Sequence, residues 1–289
     1  MKVIPGIALC LVALFALVSP ALAQDSPYSA SGDVATVSKY IWRGQRLTND
    51  WSVQPSATFG AAGLSFNIWG NMDLTAVNEG DSLFLPQNPA APAGTHNGLR
   101  GKFSEVDYTF SFARSFEAAS IDVGTIVYTF PERSAGLPAT TEIYGGLTFD
   151  SVPLAPSATI YIDVDETRAG GGSSGAYFLL SASHSIPLNH PVLGGLDLSA
   201  SLGMANSGFG SFYYGQNKGG AHDASLTVSL PFNLGETWSA SAFATYSGLI
   251  GDFRKYQFQD PREVHRGTAG LPESLADTVW GGFSLSLNF

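Results

Sequence analysis

Cysteine is almost absent from this chain of 289 residues. The only one, Cys10, lies in an apolar run near the N-terminus. Residues 1–23 have the layout of a secretory signal, with a basic Lys2, that apolar run, and a small-x-small cleavage site at Ala21-Leu22-Ala23. We therefore predict a signal peptide over 1–23 and a mature chain over 24–289 that has no cysteine. This excludes disulfides, cysteine-based zinc sites and thiol nucleophiles from the mature protein.

Positive charge and long hydrophobic runs are also scarce. Without Lys2, the predicted mature chain has 13 Lys and Arg against 24 Asp and Glu, a formal charge of −11. That balance argues against nucleic acid and anionic lipid surfaces as partners. No segment after the signal approaches the roughly 20 apolar residues of a membrane helix. If the chain crosses a membrane, it must therefore do so with strands.

What the sequence does contain is alternation of apolar and polar residues over about twelve segments, each close to the length of a tilted spanning strand. In the last segment, Val279, Phe283 and Leu285 fall on one face, and Trp280 and Ser284 on the other. The predicted strands are 33–44, 52–60, 63–74, 104–113, 119–130, 140–149, 157–165, 176–186, 196–204, 222–230, 238–247 and 278–289. One face of such strands suits lipid and the other a polar lumen.

The connections between these segments alternate between short and long, as periplasmic turns and extracellular loops do in outer-membrane barrels. We therefore predict an all-β fold: a single antiparallel up-and-down transmembrane β-barrel of about 12 strands, after a cleaved signal peptide. The predicted location is the bacterial outer membrane, with outer-membrane lipid as a partner. The final strand resembles the closing strand of such barrels, and this implies that its terminal Phe289 is read by the barrel assembly machinery.

The first hairpin carries a family resemblance. Val37–Gly44 (V-S-K-Y-I-W-R-G), Val53-Gln54-Pro55 and Gly63–Met72 resemble the opening of the Gcw_chp family of predicted bacterial outer-membrane proteins, and Thr141–Leu147 resembles a later segment of that family. The resemblance implies fold and location. It carries over no catalytic residue and no activity.

Strand direction places a group of charged residues at the extracellular mouth of the predicted lumen. The acids are Asp73, Glu105, Asp107, Glu142, Asp163, Asp165 and Asp223, and the bases are Lys39 and Arg43. Rings of carboxylates favour cations. The predicted spacing puts Lys39 and Arg43 on one face of the first strand, where we expect Arg43 to hold a loop by bidentate pairing with an acid such as Asp73 or Glu105.

Three functions follow from this interpretation. The first is a small passive, porin-like channel for cationic or neutral polar solutes. The second is a plugged structural or anchor barrel, in which inward aromatics and the loop Gly248–Asp277 fill the lumen. The third is an outer-membrane lipid hydrolase, for which His222 with Asp223 and Ser225 is the best candidate. Adjacent strand residues point to opposite faces, so we expect that His222 and Asp223 do not pair.

For the favoured channel interpretation we predict no catalytic, cofactor-binding or metal-binding residue and no enzymatic activity. The oligomeric state is left open.

Overall fold

A computed structural model describes residues 28–48, 50–75, 100–131, 139–165, 174–214, 216–256 and 277–289. The predicted signal peptide and most of the 248–277 loop lie outside these ranges. The strands are β1 (Tyr28–Val37), β2 (Tyr40–Trp42), β3 (Gln45–Thr48), β4 (Ser52–Ala61), β5 (Leu64–Asp73), β6 (Phe103–Ser115), β7 (Ser120–Thr129), β8 (Thr140–Thr148), β9 (Ser157–Asp163), β10 (Ala176–Pro187), β11 (Gly195–Ala205), β12 (Gly220–Asn233), β13 (Trp238–Leu249) and β14 (Asp277–Asn288).

Twelve of these strands, β1 and β4 to β14, form a closed antiparallel barrel. Each pairs with its neighbour in the chain, and β1 closes on β14 with Val34 opposite Leu285. A closed barrel leaves no sheet edge unpaired. The predicted fold class and strand number are confirmed. Short turns connect strands at one end, here called the short-turn end, and longer connections lie at the other, the long-loop end.

The barrel exterior is apolar and its interior is polar, as the alternation predicts. Phe283 and Val279 on β14 are 65% and 68% exposed on the outer face, and Leu226 on β12 is 61% exposed. The inner face carries pairs of hydroxyls that face each other across neighbouring strands, such as Ser201 and Ser225 with Oγ atoms 2.7 Å apart. Because large apolar side chains face outward around the barrel, the outer surface suits lipid.

The first strand is shorter than the sequence predicts. The predicted segment 33–44 is wrong after Val37, where β1 ends, and the chain continues as a separate hairpin of β2 and β3. The two-residue turn of this hairpin is Arg43-Gly44, with φ of 47° and 72°. Positive φ at both turn residues matches the turn that best fits the twist of a two-residue hairpin. We call the segment Tyr40–Thr48 the lumen hairpin.

The lumen hairpin reaches across the barrel interior. It leaves the wall between β1 and β4, yet Arg43 at its tip contacts β8. Going round the wall, β8 lies five strands from β1 by way of β4 and seven by way of β14, and is therefore almost opposite. The hairpin thus spans the lumen at the long-loop end.

Two short helices lie at the same end. The helix α1 (Ser207–Tyr214) connects β11 to β12, and α2 (Phe253–Tyr256) follows β13. The Asn206 side chain accepts a hydrogen bond from the backbone N–H of Phe209 at 2.9 Å, the geometry of a helix N-cap. Within the described ranges, no helix has the length and apolar character that crossing a membrane requires.

Candidate functional site

The mouth acids hold the lumen hairpin in place. The Tyr40 hydroxyl donates to Glu105 at 3.1 Å, and Arg43 donates to both oxygens of Glu142. The Thr48 hydroxyl donates to Asp73 at 3.1 Å. Three carboxylates from β5, β6 and β8 therefore bind one hairpin at its two strands and its tip. Burial and the charge of Glu105 raise the pKa of Tyr40 well above its ordinary value, so its hydroxyl remains a donor.

The contact at the tip is the most elaborate of the three. The two Arg43 nitrogens lie 2.8 and 2.7 Å from the Glu142 oxygens, and the side chains are 8% and 2% exposed. The guanidinium carbon also lies 4.3 Å from the ring centroid of Tyr177, 4.5 Å from that of Trp42 and 4.8 Å from that of Tyr161. Arg43 is thus held by a bidentate ion pair inside a cage of aromatic rings.

Arg43 does form a bidentate pair, but the predicted partners Asp73 and Glu105 are wrong. Asp73 binds Thr48 and Glu105 binds Tyr40 instead, because these two acids lie closer to the point where the hairpin leaves the wall. The expected placement of Lys39 and Arg43 on one spanning strand is also wrong. The chain leaves the wall after Val37, so both residues follow the strand rather than belonging to it.

The remaining mouth acids also lie at the long-loop end but have different surroundings. Asp163, 1% exposed, accepts hydrogen bonds from the Thr140 hydroxyl and the backbone of Asp165. Asp165 itself is exposed. Asp107 points toward the same region, and its Oδ1 has no hydrogen-bond partner among the described residues.

His222 and Asp223 pair in the structure, contrary to the expectation from strand alternation. Nδ1 of His222 lies 2.7 Å from Asp223 Oδ1, and Nε2 lies 2.9 Å from the hydroxyl of Tyr214. The strand register shifts at this point: Asp223 faces Gly203, but Met204 faces Ala221. His222 is therefore the extra residue of a bulge, and a bulge re-aims a side chain.

This arrangement does not provide the nucleophile that the hydrolase hypothesis requires. Both ring nitrogens of His222 have partners, and neither partner is a serine. Ser225, the serine of that hypothesis, bonds to Ser201 across the strand pair. The Asp223 carboxylate also accepts from the Tyr177 hydroxyl at 2.9 Å. In the part of the chain that the structure describes, no three metal-ligating side chains are grouped as a metal site requires.

An aromatic cluster inside the barrel was missed by the sequence analysis. Phe209 of α1 is 1% exposed and stacks on Trp42 of the lumen hairpin with centroids 6.0 Å apart. Phe253 of α2, also 1% exposed, packs against His222 and Tyr214. The run S-G-F-G-S-F-Y-Y was the available signal, since its four aromatics occupy a long connection where polar residues are usual.

The short-turn end of the lumen is more open. A cavity of about 670 Å³ lies there, bounded by the turn 150–155 and by residues of β10, β11 and β12, with both polar and apolar side chains in its lining. Ser185, Asp197 and Thr227 are among its lining residues. The barrel therefore has a filled half at the long-loop end and a cavity lined by both polar and apolar side chains at the other.

Comparison with known proteins identifies the family. The model of a family described as "Bacterial protein of unknown function (Gcw_chp)" matches residues 21–239. The chain belongs to the Gcw_chp family. The matched range contains the lumen hairpin, Glu142 and His222, and ends before α2 and β14. None of the curated proteins matches the chain.

Several solved barrels are similar in shape. The NanC porin is 9% identical, with 89% of this chain and 98% of that chain covered and a TM-score of 0.47. An outer membrane channel from Pseudomonas putida F1 is 7% identical, with coverage of 91% and 94% and a TM-score of 0.42. An anion-selective porin from Comamonas acidovorans is 10% identical, with coverage of 91% and 98% and a TM-score of 0.31.

Proposed function

We propose that this protein is an outer-membrane channel for small cationic or neutral polar solutes, and that the lumen hairpin closes it at the extracellular mouth. The observation that carries the proposal is the hairpin itself. It crosses the lumen from β1 and β4 to β8 and is tied at its tip by the Arg43–Glu142 pair. Movement of one short segment would therefore remove the bridge that crosses the lumen between the mouth and the cavity behind it.

The charge of the mouth supports a preference for cations. Glu105, Asp107, Glu142 and Asp163 lie on inward positions near the long-loop end, and Arg43 neutralises one of them while the hairpin is docked. When the hairpin leaves, the acids remain on the wall. Carboxylates in a narrow low-dielectric passage raise the local concentration of cations and repel anions.

A permanently plugged anchor barrel is the second candidate, and the aromatic cluster favours it. Phe209, Phe253 and Leu249 are at most 1% exposed, and Trp42 of the lumen hairpin packs against the same cluster. Burial of these apolar side chains stabilises the closed barrel independently of the Arg43–Glu142 pair. A lipid hydrolase has no comparable support, because the His222 geometry lacks a serine partner.

Replacement of the hairpin distinguishes the two candidates. Val37 of β1 is paired directly with Ser52 of β4, so a short Asn-Gly turn can replace residues 38–51 without disturbing the wall. We expect the wild-type protein to conduct rarely in planar bilayers and the shortened protein to conduct steadily, with a reversal potential that shows cation preference. Heat-modifiable gel mobility checks that the shortened barrel folds.

Two outcomes contradict the channel proposal. A folded barrel that conducts no ions without its hairpin supports the anchor instead. A preference for anions in the shortened protein contradicts the role assigned to the mouth acids.

A further inference from the structure

We propose that the barrel wall around Glu142 is a binding site for the guanidinium group of a solute, and that Arg43 occupies it as an internal ligand. This inference rests on the proposed channel function and names a substrate class for it. The hairpin then closes the barrel by placing in the site the same chemical group that a solute would bring.

Most of the site belongs to the wall rather than to the hairpin. Glu142 lies on β8, Tyr128 on β7, Tyr161 on β9 and Tyr177 on β10. The Tyr128 hydroxyl donates to Glu142 Oε2 at 2.8 Å, which fixes the carboxylate independently of the hairpin. Asp223 of the wall accepts a hydrogen bond from the Tyr177 hydroxyl and so orients the Tyr177 ring. The site is therefore preorganised when Arg43 leaves it.

The geometry selects a flat, delocalised cation. Glu142 receives two parallel N–H bonds of 2.8 and 2.7 Å, the fork arrangement that a guanidinium provides and an ammonium does not. Tyr161 and Tyr177 present rings at 4.8 and 4.3 Å from the guanidinium carbon. A compact, strongly hydrated cation would lose its water without gaining either contact.

The hairpin tip has features of a tethered ligand. Arg43 has a φ of 47°, a left-handed conformation that is uncommon outside glycine and that the two-residue turn requires at this position. At Gly44 any Cβ would lie 2.6 Å from the Cβ of Asp223, so only glycine permits this approach to the wall. The backbone is therefore shaped to deliver one side chain into the site.

Binding is tested with Arg43→Ala in detergent micelles, which empties the site. Isothermal titration with guanidinium chloride is expected to give a dissociation constant on the order of 1 mM, a value suited to so small a ligand. Methylguanidinium should bind similarly. Urea has the same planar shape without charge and ammonium has charge without the fork, so each should bind at least tenfold more weakly.

Two variants serve as matched controls. Arg254→Ala removes another bidentate pair, with Asp277 at 2.8 and 2.7 Å. This pair is about one-third exposed and lies outside the Arg43 cage. It should gain no guanidinium binding. Arg43→Ala/Glu142→Gln removes the carboxylate and should lose the binding gained by Arg43→Ala. If Arg43→Ala does not fold, the shortened protein with residues 38–51 replaced is titrated in the same way.

The proposal is overturned if guanidinium does not bind to the emptied site, or if binding is unchanged by Glu142→Gln or matched by urea. Because titration needs no conduction, its failure is separate from that of the channel function. Guanidinium binding to a barrel that never conducts upholds this site and contradicts the channel. Conduction without guanidinium binding overturns this site and leaves the channel proposal standing.

Discussion

Loss of the Arg43–Glu142 pair should release the lumen hairpin, and a single introduced cysteine can report it. The predicted mature chain has no cysteine, so any introduced one is unique. Gln45 follows the turn, is 3% exposed, and its Nε2 has no hydrogen-bond partner among the described residues. Gln45→Cys should therefore disturb docking little and react with a maleimide only when the hairpin opens.

The magnitude follows from the burial of the pair. Removing one partner of a buried ion pair costs about 3–5 kcal/mol, because the other charge is left buried alone. Arg43→Ala should therefore cost about 3–5 kcal/mol in docking free energy. At about 1.4 kcal/mol for each factor of ten, the open population should rise about 140- to 3,700-fold.

The assay compares maleimide labelling rates of Gln45→Cys with and without Arg43→Ala. When closing is faster than labelling, the rate is proportional to the open population. Asn217→Cys, at an exposed position, gives the intrinsic rate. Arg254→Ala is the matched control, because its pair with Asp277 is about one-third exposed and worth about 0–1 kcal/mol, and it binds β14 rather than the hairpin.

Equal labelling rates in the Arg43→Ala and Arg254→Ala backgrounds would refute the reasoning. That result would mean that the aromatic cluster holds the hairpin without its polar tip. Rapid labelling of the Gln45→Cys protein with Arg43 intact would contradict the docked position itself.

Three further predictions use the same protein. Tyr40→Phe removes the hydroxyl that donates to Glu105, a bond to a charged group worth about 1.5–3 kcal/mol, so Gln45→Cys labelling should rise at least about tenfold. Gly44→Ala should also accelerate labelling, because φ is 72° and the new Cβ would crowd the wall. Phe283→Arg on the outer face should destabilise the barrel in lipid vesicles by about 2–4 kcal/mol, measured by denaturant unfolding, whereas Ser284→Arg on the inner face should cost little.

The barrel could be predicted from the sequence because its signal is local and repeated. Each wall strand alternates, and the connection lengths alternate independently, so errors at single strands do not alter the conclusion. Strand direction alone also assigned the mouth acids to one end. The antiparallel closure of β14 on β1 then follows from an even number of strands.

The lumen hairpin could not be predicted in the same way. The segment from Val37 to Gly44 continues the alternation of β1, and the break at Ser38-Lys39 contains neither glycine nor proline. Its turn is Arg43-Gly44 rather than the Asn-Gly or Asp-Gly that marks most two-residue hairpins. The partner of Arg43 depends on how far the hairpin reaches across the lumen, which is a tertiary property.

The His222 bulge illustrates a second limit. Alternation correctly predicts which face of the sheet most residues of β12 occupy. The extra residue of the bulge, His222, changes the face of its neighbour. Nothing between Gly220 and Ser225 distinguishes that segment from a regular strand. The bulge is determined by the register of β12 with β11, which shifts between Gly203 and Met204.

The chemistry of the hairpin tip argues for a reversible closure rather than a permanent plug. A buried ion pair is expensive to dehydrate, and apolar residues of similar volume often replace one at no cost or with a gain of about 1–4 kcal/mol. Apolar residues would therefore stabilise a permanent plug better than this ion pair does. We therefore expect Arg43→Met/Glu142→Leu to keep the hairpin docked, with Gln45→Cys labelled no faster than in the parent. Free guanidinium should accelerate labelling of the parent by competing for Glu142, but not of the double variant. Acceleration in both, or in neither, would mean that the pair is a structural contact without a role in opening.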